Sequence, residues 1–597
     1  MRAIRETWKR YVLNAVLDFA SGQGVEVNAD AVANELIVER PPKPELGDLA
    51  VPMFPYAKLF RMAPQKIAEG VASRLNAGAT EGGGDTDSSA GRSGAQCEAA
   101  GPYLNVRLYR PAVAAELLAA VEKDGERYGR SDRLGGRKVM VEFSCPNTNK
   151  PLHLGHLRND ALGESVSRIL SAAGADVRKV NLINDRGVHI CKSMLAYRKF
   201  GEGESPESAQ RKSDHFVGDY YVRFNQWAAE DKSAETEART LLQQWEAGDE
   251  EVHELWKRMN RWAIEGIRET YRRTGVSFDD YYYESETYAA GREEVLKGLE
   301  RGSFYKDEDG TVWVDLEEID LDHKVLLRGD GTSLYLTQDI GTAIARHRDW
   351  PFDQLVYVVA SEQRYHFTVL FHVLAKLGFR WAENLFHLSY GMVNLPEGKM
   401  KSREGTVVDA DDLLLELAAL AKKEIEEKER DGTIEDIDTT SEKIAVAALH
   451  YYLLQVQPNK DMVFNPAESL AFNGNTGPYL QYTGARISTM LRKAGELPNF
   501  EDVDFSLLRE TGEWELIKHL AEYPEVVELA ADQLNPATLT AYVYELARRY
   551  ARYYHDNPIM VHEDPAVRKA RLYLSGAVLR VLRNGLELLN IPYIPVM

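Results

Sequence analysis

Residues 138 to 145, "KVMVEFSC", form a β-rich apolar run, after which the pattern changes period. In "LGHLRNDALGESVSRILSAAG" the apolar positions Leu154, Leu157, Leu162, Ile169 and Leu170 fall near one helical face, and Gly174 stops it. "VRKVNLIND" reads as a strand again. Strand, helix and strand in this order predict a right-handed βαβ unit with parallel strands, so residues at the carboxyl ends of the strands face a ligand crevice. The "HLGH" stretch falls on that edge. From about 200 to 290 the pattern turns to polar helices rich in Trp, Tyr and Glu, predicted as an insertion between two halves of the sheet. Strand signals return with "TVWVDL", "SLYLTQD", "LVYVVAS" and "FHLSYGMV". After about 440 nearly every segment has helical period.

The first 75 residues alternate helical patterns with a Pro-rich link, "RPPKPELGDLA". "YLNVRLY" and "PAVAAELLAAVEKDG" then predict a strand and a helix, and the Gly, Ser and acid stretch "NAGATEGGGDTDSSAGRSGAQ" between them has nothing to bury, so a mobile surface loop is expected there. The expected units are 1–128, 129–410 with its insertion, a connecting segment 411–440, and a helical unit 441–597.

Composition narrows this. A chain of 597 residues exceeds one hydrophobic core, and ordinary domain sizes give roughly three to five units. No apolar run approaches the roughly 18 residues of a membrane helix, and "MRAIRETWKRYVLNAV" has no apolar core followed by a cleavage site, so a cytoplasmic protein without a membrane partner is expected. Cys97, Cys145 and Cys191 are far apart without any CxxC, which argues against a disulfide framework or a cysteine zinc site. No tightly bound metal is predicted. The net charge of −21 gives no global attraction to nucleic acid, so such a partner needs a local basic surface.

Two stretches carry chemistry. At a strand-to-helix turn, Gly155 lets a flat ring or a phosphate approach the backbone, while the helix N-terminus and the His153 and His156 imidazoles face developing negative charge. The same four residues also read as two histidines capping a helix. In "GMVNLPEGKMKSREGTVVDADDLL", Lys399, Lys401 and Arg403 read either as cations that fold over a triphosphate or as a solvated charged loop. Tyr479, Tyr482 and Arg486 lie at i, i+3 and i+7, hence on one helical face, as a stacking surface for unpaired bases or as an aromatic core stripe. The clusters Arg548, Arg549, Arg552 and Arg568, Lys569, Arg571 are the candidates for local basic surface.

With "VEFSCPNTNKPLHLGHLRND", "NLINDRG", "SLYLTQDIG", "VYVVASEQRYHF", "FNGNTGPYLQYTGARI" and "GLELLNIPYIPVM", the chain resembles the arginyl-tRNA synthetases over its whole length. The resemblance implies an α/β catalytic domain with the class I Rossmann-type parallel sheet and an insertion, an α+β N-terminal domain at the tRNA corner, and an all-α C-terminal bundle that reads the anticodon. It implies ligation of L-arginine to tRNA(Arg) through an arginyl-adenylate, with ATP and Mg2+ as substrate, release of AMP and pyrophosphate, activation that requires bound tRNA, and a monomer. By resemblance His153 and His156 hold ATP and stabilise the transition state, with Gly155, Met400 and Ser402 also at ATP. Glu142, Asn147 and His153 match contacts to the backbone groups of arginine, Tyr335 and Asp339 match the guanidinium pair, and Gln363 matches a further arginine contact. Tyr479, Tyr482, Arg486 and Met597 match the tRNA side. The loop departs from the family in carrying Ser402 where the second lysine usually stands, which leaves the pyrophosphate contact among Lys150, Lys399 and Lys401. A carboxylate suits a planar guanidinium, yet "TQDIGTAIARH" equally suits Asp339 as a helix cap. A small-molecule nucleotidyltransferase has no use for the C-terminal bundle, and an inactive RNA-binding module has none for the histidines.

Overall fold

The computed structural model describes residues 1–80, 94–396, 408–428, 434–495 and 498–597. Lys399, Met400, Lys401, Ser402 and Arg403, and most of the Gly- and acid-rich stretch, lie outside these. β1 (Lys138–Glu142), β2 (Asp176–Ile183), β3 (Asp280–Tyr283), β4 (Gln354–Ala360) and β5 (Leu385–Tyr390) form one sheet in the order 5-4-1-2-3, with every pairing parallel. Val139, Met140 and Val141 are buried, as a parallel strand covered on both faces requires. The chain runs from β1 to β2 on one side, whereas β4 adds on the other. The carboxyl ends of β1 and β4 therefore flank the switch in strand order, where open α/β sheets bind ligands.

The helical segment between β2 and β3 comprises Val188–Phe200, Ser213–Glu230, Ser233–Glu246 and Glu250–Thr274, and it has a core of its own around Met194, Phe224, Ala263 and Trp262. A second excursion follows β3. It holds the Glu284–Glu300 helix and a small antiparallel sheet of Tyr305–Lys306, Val312–Val314 and Lys324–Leu327. "TVWVDL" belongs to this small sheet and not to the parallel one. "SLYLTQD" is not a strand at all but the start of the Tyr335–Asp349 helix. Its short alternation of polar and apolar residues mimics a strand, but Leu336 and Thr337 are both buried while Tyr335 is exposed, a helical distribution. Thr337 Oγ1 accepts from the Leu334 N–H (3.3 Å) and secures the turn.

The N-terminal unit is α+β, with Tyr103–Arg107 central in a three-stranded antiparallel sheet beside the Arg2–Gly22 and Pro64–Thr80 helices. It is fastened to the C-terminal bundle: Tyr128 donates to the Leu520 carbonyl (3.0 Å) and Trp514 Nε1 to Asp48 (2.7 Å). The bundle comprises Ile437–Leu454, Gly477–Ala494, Thr511–Gln533, Pro536–Asp556 and Pro565–Leu588. Thr476, Asn535 and Asp564 cap three of these helices, each followed by a proline in the first turn, where its missing N–H costs nothing. At the centre is the Leu154–Ala172 helix, buried on almost every side.

Two glycines set the distance between the Glu284–Glu300 and Tyr335–Asp349 helices. A Cβ on Gly341 would lie 2.6 Å from the Gly291 nitrogen and the Thr287 carbonyl, both backbone atoms that cannot swing away. Gly341→Ala is therefore expected to destabilise the protein by about 1–3 kcal/mol, the usual range for overpacking. Denaturant unfolding checks this, and an unchanged midpoint would show that the helices separate without cost.

Candidate active site

The chain leaves β1 through Ser144 and Cys145, both in the left-handed region (φ 73° and 51°). Such backbone costs a non-glycine residue on the order of 1–3 kcal/mol and persists only where its surroundings dictate it. Here Ser144 N donates to Asn159 Oδ1 (2.7 Å), Cys145 N donates to Asn181 Oδ1 (3.1 Å), and Asn184 Nδ2 donates to the Cys145 carbonyl (3.1 Å). Asn159 comes from the helix that follows, Asn181 from β2 and Asn184 from the turn just after it, so distant parts of the chain set one bend. Asn147, just beyond, pairs with Asn184 in an isolated parallel bridge.

His153 is the N-cap of the Leu154–Ala172 helix. Its Nδ1 accepts from the Gly155 N–H (3.1 Å), and its own N–H donates to His156 Nδ1 (3.1 Å). With each Nδ1 occupied as an acceptor, the proton of each neutral ring sits on Nε2. Burial, aided by Lys150, pulls His153 down to about 4; burial, His153 and Lys150 together hold His156 well below its ordinary value. Two neutral N–H donors, ring centroids 3.9 Å apart, thus stand at a helix N-terminus. The capping role and an anion-facing role use different nitrogens of the same rings and coexist. A Cβ on Gly155 would meet His153 Cε1 at 2.9 Å, so the glycine is needed by the histidine as well as by any ligand.

A second group gathers around Asp339. Asp339 lies five residues into its helix and caps nothing, which corrects the capping expectation. Its Oδ2 accepts from His366 Nε2 (2.6 Å). Tyr335 is one turn earlier on the same face and 72% exposed, and Gln363 is exposed at the start of the helix that carries His366. Glu142, at the end of β1, is only 4% exposed and ion-paired through Oε2 with the fully buried Arg346. Burial alone would lower the Arg346 pKa, and Glu142 more than reverses this, so the guanidinium stays charged. A contact from Glu142 to a ligand falls to its other oxygen. Glu284, which follows β3, is a further carboxyl that sequence reasoning missed: burial, against the pull of Arg186 and with Asp339 and Asp185 adding, pushes it up to about 7. His366, Arg346 and Glu284 all stand within quoted motifs or one turn from a strand end, but nothing in their spacing distinguishes them from solvated charges.

On the bundle, Tyr482 and Arg486 are exposed on the Gly477–Ala494 helix, while Tyr479 is half-buried against Tyr544 (5.9 Å). The Arg486 guanidinium lies 4.1 Å from the ring centre of Tyr554. Tyr544 and Tyr554, both from the Pro536–Asp556 helix, therefore complete a surface of which the sequence showed half. Met597 is half-buried against the bundle core. The basic clusters contribute less than expected. Arg571 is buried and paired with Glu513 (2.8 Å), and Arg549 is held by Glu545 (2.7 Å) and Glu515 (3.1 Å). None of the three cysteines is in a disulfide, and two of them are buried.

A parallel sheet of this order, whose central strand turns through His-x-Gly-His into a buried helix with an all-helical unit behind it, defines a class I aminoacyl-tRNA synthetase. Residues 118–466 match the family model of the tRNA synthetases class I (R) catalytic domain, 480–597 the DALR anticodon binding domain, and 6–108 the arginyl tRNA synthetase N terminal domain. The chain is 55% identical to an arginine–tRNA ligase of Treponema denticola and 52% identical to one of Treponema pallidum, with each pair covered over 100% of both chains. The solved arginyl-tRNA synthetase of Thermus thermophilus superposes with a TM-score of 0.77 at 27% identity, over 99% of this chain and 100% of that one. That of Plasmodium falciparum shares the fold, with a TM-score of 0.72 at 20% identity over 100% of this chain and 99% of that one. The chain belongs to the arginyl-tRNA synthetase family.

Asp160, one turn below the histidines, is 1% exposed, and neither of its oxygens has a directed hydrogen bond, although Ser144 lies near enough to moderate its charge. Burial pushes its pKa up to about 8, so the carboxyl is protonated at neutral pH. A raised folded-state pKa means stability that is fully present below the unfolded value near 4 and lost as pH rises towards 8. Asp160→Asn is expected to flatten the fall in stability between pH 5 and 8, measured by denaturant midpoints across that range. An unaltered slope would refute a neutral Asp160.

Proposed function

We propose that the arginine–tRNA ligase activity of this chain is carried by the crevice at the carboxyl ends of β1 and β4, in the cytoplasm, with ATP and Mg2+, L-arginine and tRNA as substrates and the chain acting as a monomer. The observation that supports this most directly is the pair of Nε2–H donors that the HLGH turn builds at a helix N-terminus. The arginine carboxylate attacks the α-phosphate of ATP, a P–O bond to pyrophosphate breaks, and arginyl-adenylate forms. The terminal ribose of tRNA then displaces AMP. His153 and His156 donate to phosphate oxygens as charge grows on them, and being neutral they need no proton removed first. Catalysis is by position and charge stabilisation, with no covalent enzyme intermediate. Lys150 is the described cation nearest this turn; Lys399 and Lys401, with Met400 and Ser402 beside them, remain candidates for the phosphates.

The guanidinium is assigned to Asp339, whose Oδ1 is free because His366 holds Oδ2, with Tyr335 and Gln363 on the same rim and Glu284 as a second carboxyl. A carboxylate accepts from the planar guanidinium fork, whereas an amide offers one acceptor and sets its own donors against the ligand's. Asn147 and Glu142 are assigned to the backbone groups of arginine. Tyr482, Arg486 and their partners Tyr479, Tyr544 and Tyr554, with Met597, are assigned to unpaired bases of tRNA.

The deciding assay is ATP-dependent charging of tRNA with radiolabelled arginine, beside lysine and cysteine. His153→Ala and His156→Ala are each expected to slow single-turnover adenylate formation by roughly 100-fold, with little change in arginine affinity. Near-normal rates would refute the assignment. Asp339→Asn should raise the Michaelis constant for arginine by on the order of 100-fold, since a cation in a half-buried site loses its counter-charge. An unchanged constant would move the guanidinium to Glu284. Arg486→Ala is expected to raise the Michaelis constant for tRNA and leave that for arginine unchanged; equal effects on both would place Arg486 outside the RNA surface.

A further inference from the structure

Asp411 follows directly on the segment that pairs with the HLGH turn. Leu154 N donates to the Val408 carbonyl (2.9 Å), Ala410 N donates to the Leu152 carbonyl (3.0 Å), and His153 and Asp409 face each other in an antiparallel bridge. The backbone of His153 is therefore flanked on both sides by hydrogen bonds to residues 408–410. Asp409 caps the next helix, accepting from the N–H groups of Asp411 (2.9 Å) and Asp412 (3.1 Å). Two residues on, the Asp411 carboxylate is 5% exposed and saturated with donors: Lys212 Nζ (2.7 Å), His215 Nε2 (3.2 Å), Arg273 Nη1 (2.8 Å) and Thr270 Oγ1 (3.2 Å). Those four residues belong to the helical segment between β2 and β3, and Arg273 Nε reaches on to Glu442 (2.8 Å) in the first helix of the bundle.

Asp214, His215 and Asp411 have the spacing of metal ligands. Lys212 Nζ, however, lies 3.0 Å from Asp214 Oδ2 and 2.7 Å from Asp411 Oδ2, in the space a cation would take, and Arg273 supplies a second positive charge. The cluster is an ion-pair hub already neutralised from within. Burial would raise the Asp411 pKa, and His215 and Lys212 overcome this and hold it well below the usual carboxylate range, so it is ionised throughout the working pH.

We propose that Asp411 is a positioning residue for adenylate formation: by locking residues 408–410 to the helical segment, it fixes the backbone of His153 and so the aim of its Nε2–H. Asp411 and its four partners bond to one another, and Asp411 adjoins residues 408–410, so their part in the step is indirect. Their effect passes through the two hydrogen bonds that flank His153. The route continues through Arg273 and Glu442 into the bundle, which gives the anticodon-facing unit a direct mechanical link to the turn. The inference rests on the assignment of His153 made above.

The test is a double-mutant cycle on the full-length chain, reading single-turnover arginyl-adenylate formation with tRNA present. Asp411→Asn is expected to slow the step about 10-fold with the Michaelis constant for arginine changed less than about 2-fold. In a His153→Ala background the same substitution should cost less than about 2-fold, because residues that act as one unit are not additive. A merely structural role predicts the same loss in both backgrounds, and that result would overturn the proposal, as would a normal rate for Asp411→Asn alone. If His153→Ala itself proves near-normal, the catalytic assignment falls and the proposal with it, an outcome distinct from the other two. Should Asp411→Asn fail to fold, Arg273→Lys keeps the charge but cannot span Asp411 and Glu442 together, and the same non-additivity at smaller amplitude is then required.

Discussion

Everything at the crevice depends on one buried guanidinium. Arg158, one turn into the helix that begins with the HLGH motif, is fully buried and donates to four backbone carbonyls: Gly391 (2.9 Å) and Met392 (3.2 Å) beyond β5, and Pro458 (3.1 Å) and Lys460 (2.7 Å) beside the bundle. The helix, the end of the sheet and the helical unit therefore meet on a single side chain. Burial lowers its pKa to about 10, against the pull of Tyr390 and Asp461, which still leaves it charged at neutral pH. The crossing is tight. A Cβ on Gly391 would lie 2.4 Å from the Lys460 carbonyl carbon, so the two backbones approach as closely as they do only because position 391 is glycine. Its hydrogen-bond partners are carbonyls, and the Asp461 carboxylate, held by the Met392 N–H (2.7 Å), supplies a counter-charge at the same junction.

On the proposed assignment the two substrates carry opposite charge, and the residues at the edge of the sheet divide in the same sense. On one side of the strained Ser144–Cys145 bend are neutral imidazoles and Lys150; on the other are Asp339, Glu142 and Glu284. A field of mixed sign within so small a space is stable only if each half is prevented from neutralising the other. Asn159, Asn181 and Asn184, uncharged hydrogen-bonding groups, fill the ground between. The acidic half is itself restrained: Arg346 balances Glu142, His366 takes one oxygen of Asp339, and burial drives Glu284 to about 7. Three ionised carboxylates at such range would repel one another, so partial neutralisation lets the rim keep an acidic character without strain.

Much of this was legible in the sequence wherever pattern and chemistry coincide. The apolar run of β1, the helical face of Leu154, Leu157, Leu162 and Ile169, and the His-Gly-His turn each carry both signals, and the parallel sheet follows from the first two. The failures have two causes. "SLYLTQD" alternates for five residues, too few to separate a strand from a helix start, and a hydroxyl on Thr337 decided the matter through a bond that no period reveals. Nothing in the sequence marks Arg158, Arg346, Arg571 and Asp411 as buried, because burial of a charge depends on partners far away in sequence: Glu142 lies about two hundred residues from Arg346, and Lys212 as far from Asp411. Tyr544 and Tyr554 escaped notice for the same reason, since the stacking surface is assembled from two helices.

That assembly bears on the surface proposed for tRNA. Counting arginines on the bundle suggests a strong basic surface, but Arg571 is a core ion pair, Arg549 is shared between two glutamates, and Arg548 is drawn to Glu545 (2.8 Å). Arg486, by contrast, lies over a tyrosine and faces no carboxylate among the described residues. In a chain of net charge −21, long-range attraction to a polyanion is weak, and each phosphate contact adds a steep dependence on salt. Base stacking adds on the order of 1–3 kcal/mol per base without that dependence. On the proposed assignment, a surface of four tyrosines and one arginine suits short-range contact with unpaired bases, and the acidic remainder of the molecule repels RNA that cannot make those contacts.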